Sequence, residues 1–281
     1  MVKLNNSIFN EIKNSLNEKA EKFIKAATAI VNAGGEGVRL RPYTLTQPKP
    51  LIKIGLNPKP LMYWAMLPIL LSGVSNFVIT VRYGKEAIEE EFGKGEELSK
   101  EFNRPIKIEY VEEPKPLGRA GSIKFGLKKG KIDASRPAII LNASDILAIN
   151  FLDLAKQHIL QRAAYGFEVT QVFALGYRVQ YGIGKIHPTT GQVLEFIEKP
   201  ERLEPTNTAC YCLQERLNDF KYIKKLPSNP EDELIHEWIK KGILGSYVIP
   251  HEKLISIKFE ADLENANKID LKKFIKQSYS N

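Results

Sequence analysis

The sequence is poor in cysteine, and this scarcity limits what it can form. Only two cysteines, Cys210 and Cys212, occur among its 281 residues. Side chains two apart on a strand point to the same face, and small side chains on such a face are commonly buried. A metal site would need further ligands at suitable spacings. We therefore expect a buried pair of thiols, and not a disulfide framework.

Long apolar runs are also missing. The longest, near Leu67–Leu71, is too short to span a bilayer, and the sequence starts with polar residues instead of a secretory signal. No internal repeat and no low-complexity segment is present. We therefore expect a cytoplasmic protein that has no membrane partner.

Acidic residues are outnumbered by basic ones, so negative charge is in short supply. Lys and Arg total 41 against 33 for Asp and Glu, which gives a net charge of +8. A basic balance is typical of proteins that bind nucleic acid, acidic membranes or small phosphorylated substrates. Because the basic residues are scattered among the acids instead of gathered in a tail, we expect no nucleic-acid partner. The hydrophobic content of 43% is that of an ordinary globular protein.

What the sequence does contain is a glycine-rich turn after a short β-type run, Thr28–Asn32. Glycine permits positive φ angles and close approach of a ligand to the main chain, and consecutive N–H groups in such a turn form a nest for an anion. Arg39 and Arg41 follow, and guanidinium groups suit bidentate bonding to phosphate. The turn predicts a polyphosphate site, although a plain strand-to-helix turn explains the glycines equally well. The spacing is not that of P-loop NTPases.

Strands and helices alternate through the first half of the sequence. The glycine turn is followed by a helix ending at Gly73, a strand NFVITVRY, a charged helix at 85–102 and strands at 106–113 and 138–146. This alternation predicts a parallel, doubly wound sheet. In such sheets ligands bind beyond the carboxyl ends of the strands, where the glycine turn lies.

Two later features of the sequence are also candidates for the binding site. The loop PKPLGRAG at 114–121 precedes a helical stretch, so backbone donors again cluster at a helix N-terminus; alone, it is either a binding loop or a plain turn. The strand at 138–146 delivers Asp145 near its carboxyl end. A lone acid in that place is either a helix cap or turn residue or a metal ligand.

Residues 4–25 show the spacing of an amphipathic helix. Its apolar stripe consists of Ile8, Phe9, Ile12, Leu16, Ala20, Phe23 and Ile24. We interpret residues 1–25 as a helical extension and residues 26–281 as the main domain. The stripe either packs on that domain or forms a subunit contact, which would make the protein a homo-oligomer through this helix.

The segment AGGEGVRLRP at 33–42, followed by PKPL at 48–51, resembles the signature of the sugar nucleotidyltransferases. The likeness is closest to the mannose-1-phosphate guanylyltransferase and glucose-1-phosphate thymidylyl- or uridylyltransferase branch. It implies a Rossmann-like, doubly wound mixed sheet of the nucleotide-diphospho-sugar transferase type, with a nucleotide-binding half at 26–150 and a sugar-binding half at 151–281. It implies an enzyme that joins a nucleoside triphosphate to a hexose-1-phosphate, mannose or glucose, and releases pyrophosphate.

The resemblance also implies roles for individual residues. Catalytic roles fall to Arg39, Lys49 and Asp145, and Asp145 would hold Mg²⁺, which prefers hard oxygen ligands. The nucleotide would be bound by Ala33, Gly34, Gly35, Gly37, Leu117, Gly118 and Gly121. The sugar phosphate would be bound by Tyr181, Gly182, Glu198, Lys199 and Asn207. Without the resemblance, Glu198 and Lys199 would be interpreted as a solvated charge pair. Arg119 stands where the family commonly has Thr, and its charge would meet either a phosphate or solvent.

The sequence departs from the family pattern at two places that concern function. Val38 replaces a Thr of the phosphate loop. Near the C-terminus, Ser256 stands where the family has the second carboxylate that binds Mg²⁺, with Leu254 and Lys258 in place of the neighbouring Trp and Gly. These departures leave an alternative open: a catalytically degenerate relative that binds a nucleotide-sugar and regulates a partner docked on the N-terminal helix.

Overall fold

A computed structural model describes the backbone of residues 6–279 and the side chains of residues 10–279; Ile8 and Phe9 therefore lie outside the described side chains. The strands are β1 (Thr28–Asn32), β2 (Lys53–Ile54), β3 (Lys59–Pro60), β4 (Asn76–Val81), β5 (Lys107–Glu112), β6 (Ala138–Asn142), β7 (Asp145–Leu147), β8 (Val169–Arg178), β9 (Ile183–Ile186), β10 (Val193–Ile197), β11 (Glu201–Leu213), β12 (Leu244–Pro250) and β13 (Leu254–Ser256).

The helices are α1 (Asn6–Ala26), α2 (Tyr43–Thr46), α3 (Leu61–Ser72), α4 (Lys85–Phe92), α5 (Glu96–Glu101), α6 (Gly118–Lys128), α7 (Phe151–Tyr165), α8 (Leu234–Lys240), α9 (Glu260–Ala266) and α10 (Leu271–Lys276). Short 3₁₀ turns are found at Val38–Leu40, Lys49–Leu51, Arg216–Tyr222, His251–Lys253 and Gln277–Tyr279. Within residues 6–279, no helix combines the length and the apolar character that crossing a bilayer requires.

Seven strands form the central sheet, in the order β12-β8-β11-β6-β1-β4-β5. β1 pairs in parallel with β4 and with β6, and β4 pairs in parallel with β5. β11 runs antiparallel to both β6 and β8, whereas β12 is parallel to β8. The predicted Rossmann-like, doubly wound mixed sheet is confirmed, with β11 as its antiparallel strand.

Helices cover both faces of this sheet, and the alternation of side chains along β1 shows why. Ala29 and Val31 point into one core, which includes residues of α1, α3 and α7. Ile30 points into the other core, with residues of α6 and α8. A strand that is buried on both faces is expected to be largely apolar, and the buried residues of β1 are apolar except for Thr28.

The N-terminal helix packs on α7, at the edge of the first core. Ala20, Phe23 and Ile24 are buried, whereas Ile12, on the same stripe, is 59% exposed. The guanidinium of Arg136 donates to the carbonyl of Ala26 at 2.8 Å and ties the end of the helix to the loop before β6. The last two turns of α1 are thus part of the domain core.

Two predicted elements are divided in the structure. The charged helix expected at 85–102 is two helices, α4 and α5, because Gly93 and Gly95 between them have φ angles of +53° and +102°. A side chain at Gly95 would also come within 2.4 Å of the Ile106 carbonyl.

The strand expected at 138–146 is β6 and then β7, separated by a turn at Ala143 and Ser144. Asp145 therefore starts a second short strand instead of ending the first.

The cysteine pair lies as expected. Cys210 and Cys212 are free thiols on β11, and both are buried in the core that also holds α3. Burial raises the pKa of each thiol, which makes both unreactive.

His158 is a buried polar residue between α7 and α1. Its Nδ1 lies 2.9 Å from the hydroxyl of Thr170, and that hydroxyl donates to Gln161 at 3.3 Å. Nδ1 therefore carries the hydrogen, and Nε2 is bare, buried and without a partner among the described residues. The ring packs against Phe23 with 5.5 Å between centroids. Burial, with a smaller effect of Arg162, lowers the pKa of His158 to about 4.

This histidine should make the fold sensitive to acid. In the unfolded chain His158 binds a proton below its ordinary pKa of 6.5, whereas in the folded chain it does so only below about pH 4. The free energy of unfolding therefore falls as the pH falls through this range. Linkage gives a loss of about 2 kcal/mol in the free energy of unfolding between about pH 7 and 5. Urea titrations at the two pH values measure this loss. His158→Gln, which is neutral at both, should lose less; an equal loss would contradict the assignment.

Candidate active site

A cavity of about 620 Å³ opens at the carboxyl ends of the parallel strands. Its walls come from the loops that follow β1, β4, β5 and β6 and from segments of the second half of the chain. The lining includes Ala33, Gly34, Gly35, Gly37, Arg39, Lys49, Arg82, Glu113, Gly118, Arg119, Ser122, Asn142, Asp145, Asn207, Thr208, Asn229, Glu231, Ser256 and Lys258.

The glycine turn after β1 requires glycine at two places. A Cβ at Gly34 would come within 2.5 Å of the Glu113 carboxylate. Gly37 has a φ of +65°, and a Cβ there would lie 2.9 Å from Thr44 and 3.0 Å from Lys49. The Thr44 hydroxyl donates to the Gly37 carbonyl at 3.0 Å and holds the turn in place. Close packing of the turn thus explains these glycines, and it leaves the turn facing the cavity.

Two arginines, Arg39 and Arg82, line the cavity. Arg39 lies in the first 3₁₀ turn, with its guanidinium 5.7 Å from the ring centroid of Phe259. Arg82, directly after β4, forms an ion pair with Glu36 at 2.9 Å. Val38, the departure from the family pattern, is 55% exposed and outside the cavity lining.

Lys49 is the most perturbed cation of the site. It opens the second 3₁₀ turn between Pro48 and Pro50, and its ammonium donates to the carbonyl of Ile257. Burial lowers the pKa of Lys49 to about 8, and Arg39 and Lys258 contribute to this lowering, while Asp145 opposes it. An ammonium whose charged form is destabilised by burial is prepared to receive an anion.

Asp145 faces Lys49 across the same end of the cavity. β7 pairs antiparallel with β13, and the register sets Asp145 directly opposite Ser256. The hydroxyl of Ser256 donates to one carboxylate oxygen, and the amide of Asn142 donates to the other at 2.7 Å. Asp145 is only 7% exposed. Two neutral donors therefore hold the carboxylate, and one of them, Ser256, stands where the family pattern would put a second acid.

This donor set fits Mg²⁺ only if the substrate supplies most of the ligands. No group of three or more His, Cys, Asp or Glu side chains arranged to hold a metal occurs among residues 10–279. Mg²⁺ is commonly held by one or two carboxylates together with phosphates and water. Each oxygen of Asp145 has a second lone pair besides the one that accepts from Asn142 or Ser256. One carboxylate in a phosphate-sized cleft meets the minimum.

The structure brings together nine of the residues predicted from the sequence. Ala33, Gly34, Gly35, Gly37, Arg39, Lys49, Gly118, Asp145 and Asn207 all line the one cavity. Leu117 and Gly121 are buried directly behind its wall, where the Leu117 N–H donates to Glu113 at 3.1 Å. They shape the loop that carries Gly118, and their role in nucleotide binding stays a prediction.

The other four predicted residues lie on an arm made of β9, β10 and the adjoining ends of β8 and β11. Tyr181 is 79% exposed, and Glu198 and Lys199 form an ion pair at 3.9 Å. A Cβ at Gly182 would come within 2.3 Å of Phe196 and 2.7 Å of Glu198. None of the four is among the residues that line the cavity. Their role at the sugar phosphate stays a prediction.

Charged residues without a predicted role also line the cavity, among them Glu113 and Glu231, and so does Arg119. Glu113, at the end of β5, is 8% exposed; the rule that ligands bind beyond strand ends would have found it. Arg119, for which we expect a phosphate or solvent contact, lines the cavity and forms an ion pair with Glu231 at 2.8 Å; its role stays a prediction. No sequence pattern predicts that Glu231 lines the cavity, because it lies in a loop more than a hundred residues away from Arg119 in the sequence.

Comparison with known proteins gives a consistent picture. The nucleotidyl transferase family matches residues 28–247. Mannose-1-phosphate guanyltransferase from Schizosaccharomyces pombe is 32% identical over 222 residues, which are 78% of this chain and 58% of that protein. The chain thus spans less than two thirds of the length of that relative.

Two solved structures share the fold. A candidate glucose-1-phosphate thymidylyltransferase from Bacillus anthracis, in complex with a sucrose, has a TM-score of 0.62 at 17% identity and covers 86% of this chain and 94% of that one. HddC from Yersinia pseudotuberculosis, complexed with GMP-PN, has a TM-score of 0.58 at 21% identity and covers 88% and 99%. At these identities the likeness establishes the fold alone.

The two neighbouring glycines of the turn should differ in their tolerance of a methyl group. In Gly34→Ala the new methyl group would clash with the Glu113 carboxylate and strain the hydrogen bond that this carboxylate accepts from the Leu117 N–H. We therefore expect a loss of about 1–3 kcal/mol in the free energy of unfolding. Gly35→Ala is the matched control, because a Cβ there has no atom within 4 Å; it should change stability by less than about 0.5 kcal/mol. Urea denaturation of the three proteins compares them, and equal losses would contradict the packing described here.

Proposed function

This chain belongs to the nucleotidyl transferase family, and from that premise we propose that it joins a nucleoside triphosphate to a hexose-1-phosphate, releasing pyrophosphate and a nucleotide-sugar. The observation that carries the proposal is the cation-rich end of the cavity. There the glycine turn, Arg39 and Lys49 face one carboxylate, Asp145. These cations and backbone donors suit a triphosphate, whereas an uncharged ligand would give the cations no anionic partner.

GTP and mannose-1-phosphate are the leading substrates. Mannose-1-phosphate guanyltransferase is the name of the relative that shares 32% identity, and HddC was solved with GMP-PN. Glu113 adds a chemical reason. Its Oε2 accepts from Leu117, and its Oε1 lies beside Gly34, so the carboxylate is held at the cavity wall. Guanine presents two adjacent N–H donors, which a carboxylate accepts, whereas thymine and uracil present one.

The reaction would be a direct, in-line transfer. The sugar phosphate oxygen attacks the α-phosphorus, the bond from that phosphorus to the bridging oxygen breaks, and pyrophosphate leaves with the electron pair. No covalent bond to the protein is needed, which agrees with the absence of a recognised Ser/His/Asp or Cys/His constellation in the sequence. Rate enhancement then comes from positioning and from stabilising charge.

Each residue at the cation-rich end has a part in this transfer. The N–H groups of the glycine turn and the guanidinium of Arg39 would hold the β- and γ-phosphates, which become the leaving group. Lys49 would neutralise the charge that grows around the α-phosphate. Asp145 would hold Mg²⁺, which when bound draws charge from the α-phosphate and the attacking phosphate.

Cys210 and Cys212 are free, as is usual in the reducing cytoplasm, where we place the reaction.

Ser256 supports a second candidate function, a catalytically degenerate relative that binds a nucleotide-sugar and regulates a partner. A hydroxyl that donates to Asp145 gives no negative charge to a cation, so metal binding would be weaker than with two carboxylates. In that case the exposed part of α1 around Ile12 would be the docking surface, for a partner protein or for a second copy of this chain.

A pyrophosphate-release assay separates the two candidates. We expect release with GTP, mannose-1-phosphate and Mg²⁺, and less with other nucleoside triphosphates and with glucose-1-phosphate. If no combination releases pyrophosphate while GDP-mannose raises the melting temperature, the regulatory function is supported. If no reaction and no stabilisation is found with any nucleotide-sugar, both candidates are overturned.

Replacing Lys49 tests the mechanism. Lys49→Ala should lower the rate by about 10²–10³, typical of losing one donor that stabilises transition-state charge. Because the pKa of Lys49 is about 8, the cation is lost as the pH rises through that value. The kcat/KM of the wild type should fall above about pH 8, and the variant should lack this limb. Full activity in Lys49→Ala would remove it from the mechanism.

Replacing Glu113 tests the choice of base. Inosine lacks the second N–H donor of guanine, so the wild type should use GTP about 10-fold or more better than ITP. Glu113→Gln has no charge with which to hold two donors and should reduce that preference severalfold. Glu112→Gln is the matched control, because Glu112 pairs with Lys85 at 2.8 Å and lies outside the cavity lining. An unchanged GTP-to-ITP ratio in Glu113→Gln would show that Glu113 does not contact the base.

A further inference from the structure

The two ends of the cavity differ in chemistry. One end presents cations to the glycine turn, namely Arg39, Lys49 and Lys258. The other is lined by Arg119, Ser122, Asn207, Thr208, Asn229 and Glu231, in which hydrogen-bond donors and acceptors alternate. Within the described residues no aromatic side chain lines either end. The phosphate chemistry does not explain the residues at the second end.

Arg119 cannot serve the phosphates in the way its charge suggests. Its Nε donates to the amide oxygen of Asn229 at 3.3 Å, and its guanidinium donates to Glu231 at 2.8 Å. The backbone N–H of Arg119 also donates to Asn229 at 3.3 Å. The guanidinium is thus held in one orientation and its charge is compensated. Glu231, on the same side of the cavity, would repel a phosphate.

Glu231 connects this arginine to the sugar half of the chain. Its second oxygen accepts from the amide of Asn207 at 2.7 Å and from the hydroxyl of Tyr211 at 3.4 Å. The amide oxygen of Asn207 in turn accepts from the N–H of Ala209 at 2.6 Å. Arg119, Glu231 and Asn207 therefore form one connected, pre-oriented set, which we name the diol cluster.

The diol cluster keeps bonding capacity for a ligand. A guanidinium has five N–H donors and an amide nitrogen has two; the contacts above use two of those on Arg119 and one on Asn207. A carboxylate has about four acceptor positions, of which Glu231 uses three. The remaining groups are several donors and a few acceptors side by side. A hydroxyl both donates and accepts, so two neighbouring hydroxyls match this set, whereas a phosphate can only accept.

We propose that the diol cluster is a specificity subsite that binds two neighbouring hydroxyls of a sugar ring in the nucleotide-sugar. The proposal rests on the proposed function, which supplies that ligand. Arg119 donates two N–H groups to the two hydroxyl oxygens, and Glu231 accepts a hydrogen from one of them. The ring is either the hexose or the ribose, since both carry adjacent hydroxyls, and the experiment distinguishes the two.

Isothermal titration calorimetry on the full chain tests the subsite. GDP-mannose, dTDP-glucose and UDP-glucose are titrated first, and the tightest becomes the parent ligand. Analogues that lack one hydroxyl on the hexose, or the 2′- or 3′-hydroxyl on the ribose, are compared with that parent. We expect the wild type to bind at least one analogue about 10- to 100-fold more weakly, as for a hydrogen bond to a charged group. Loss on a hexose analogue identifies the hexose, and loss on a ribose analogue identifies the ribose.

The variant Glu231→Gln links that loss to the diol cluster. It should bind the parent more weakly and discriminate between parent and analogue at least fivefold less than the wild type. Arg119→Lys, which keeps the charge but not the planar pair of donors, should have the same effect. Glu233→Gln is the matched control, because Glu233 accepts from the N–H groups of Lys224 and Lys225 in the same segment and lies outside the cavity lining; it should discriminate as the wild type does.

Two results would overturn the subsite. One is a wild type that binds every deoxy analogue as tightly as the parent. The other is a Glu231→Gln protein that keeps the full discrimination, since a role in joining the loop to α6 would alter stability but not discrimination. A wild type that binds none of the three nucleotide-sugars would overturn the proposed function itself, which is a different outcome.

Discussion

Parallel pairing of β1 with both of its neighbours is the constraint from which the site follows. The register places Asn32 opposite Thr80 on one side and opposite Asn142 on the other. The Thr80 hydroxyl donates to the amide oxygen of Asn32 at 3.4 Å. Polar residues therefore lie side by side at the carboxyl ends of these strands. The loops after these strands must then leave from one edge of the sheet. This common edge brings the glycine turn, Arg82 and Asp145 to one cavity although they are far apart in sequence.

The cavity separates two kinds of polar chemistry. At one end, burial and neighbouring cations destabilise the charged form of Lys49, so a bound phosphate would relieve an existing cost. At the other, the ion pair of Arg119 with Glu231 compensates charge within the protein. A ligand with a phosphorylated part and a hydroxylated part matches both ends at once. A nucleotide-sugar has this composition, which joins the proposed function to the diol cluster.

Ser256 bears on how the proposed Mg²⁺ would be held. The ladder of β7 with β13 forces Ser256 and Asp145 to face each other, so the contact is a property of the fold and not of a flexible side chain. The hydroxyl compensates part of the carboxylate charge by a hydrogen bond, where a second carboxylate would add to it. Lys258, two residues further on, also lines the cavity. Under the proposed function, cationic side chains would therefore take a larger share of the phosphate charge than the family pattern implies.

The sequence by itself determined the alternation of strands and helices, the glycine turn and most of the phosphate end, because local spacing and short motifs encode these. It also indicated Asn207 and the carboxylate of Asp145. Only the tertiary structure decided which polar residues meet. Glu231 pairs with Arg119 across more than a hundred residues, and Glu198 and Lys199 lie on an arm outside the cavity lining. No local pattern encodes such meetings, because they depend on how a loop or an arm returns to the sheet edge, which is set by packing of the whole domain.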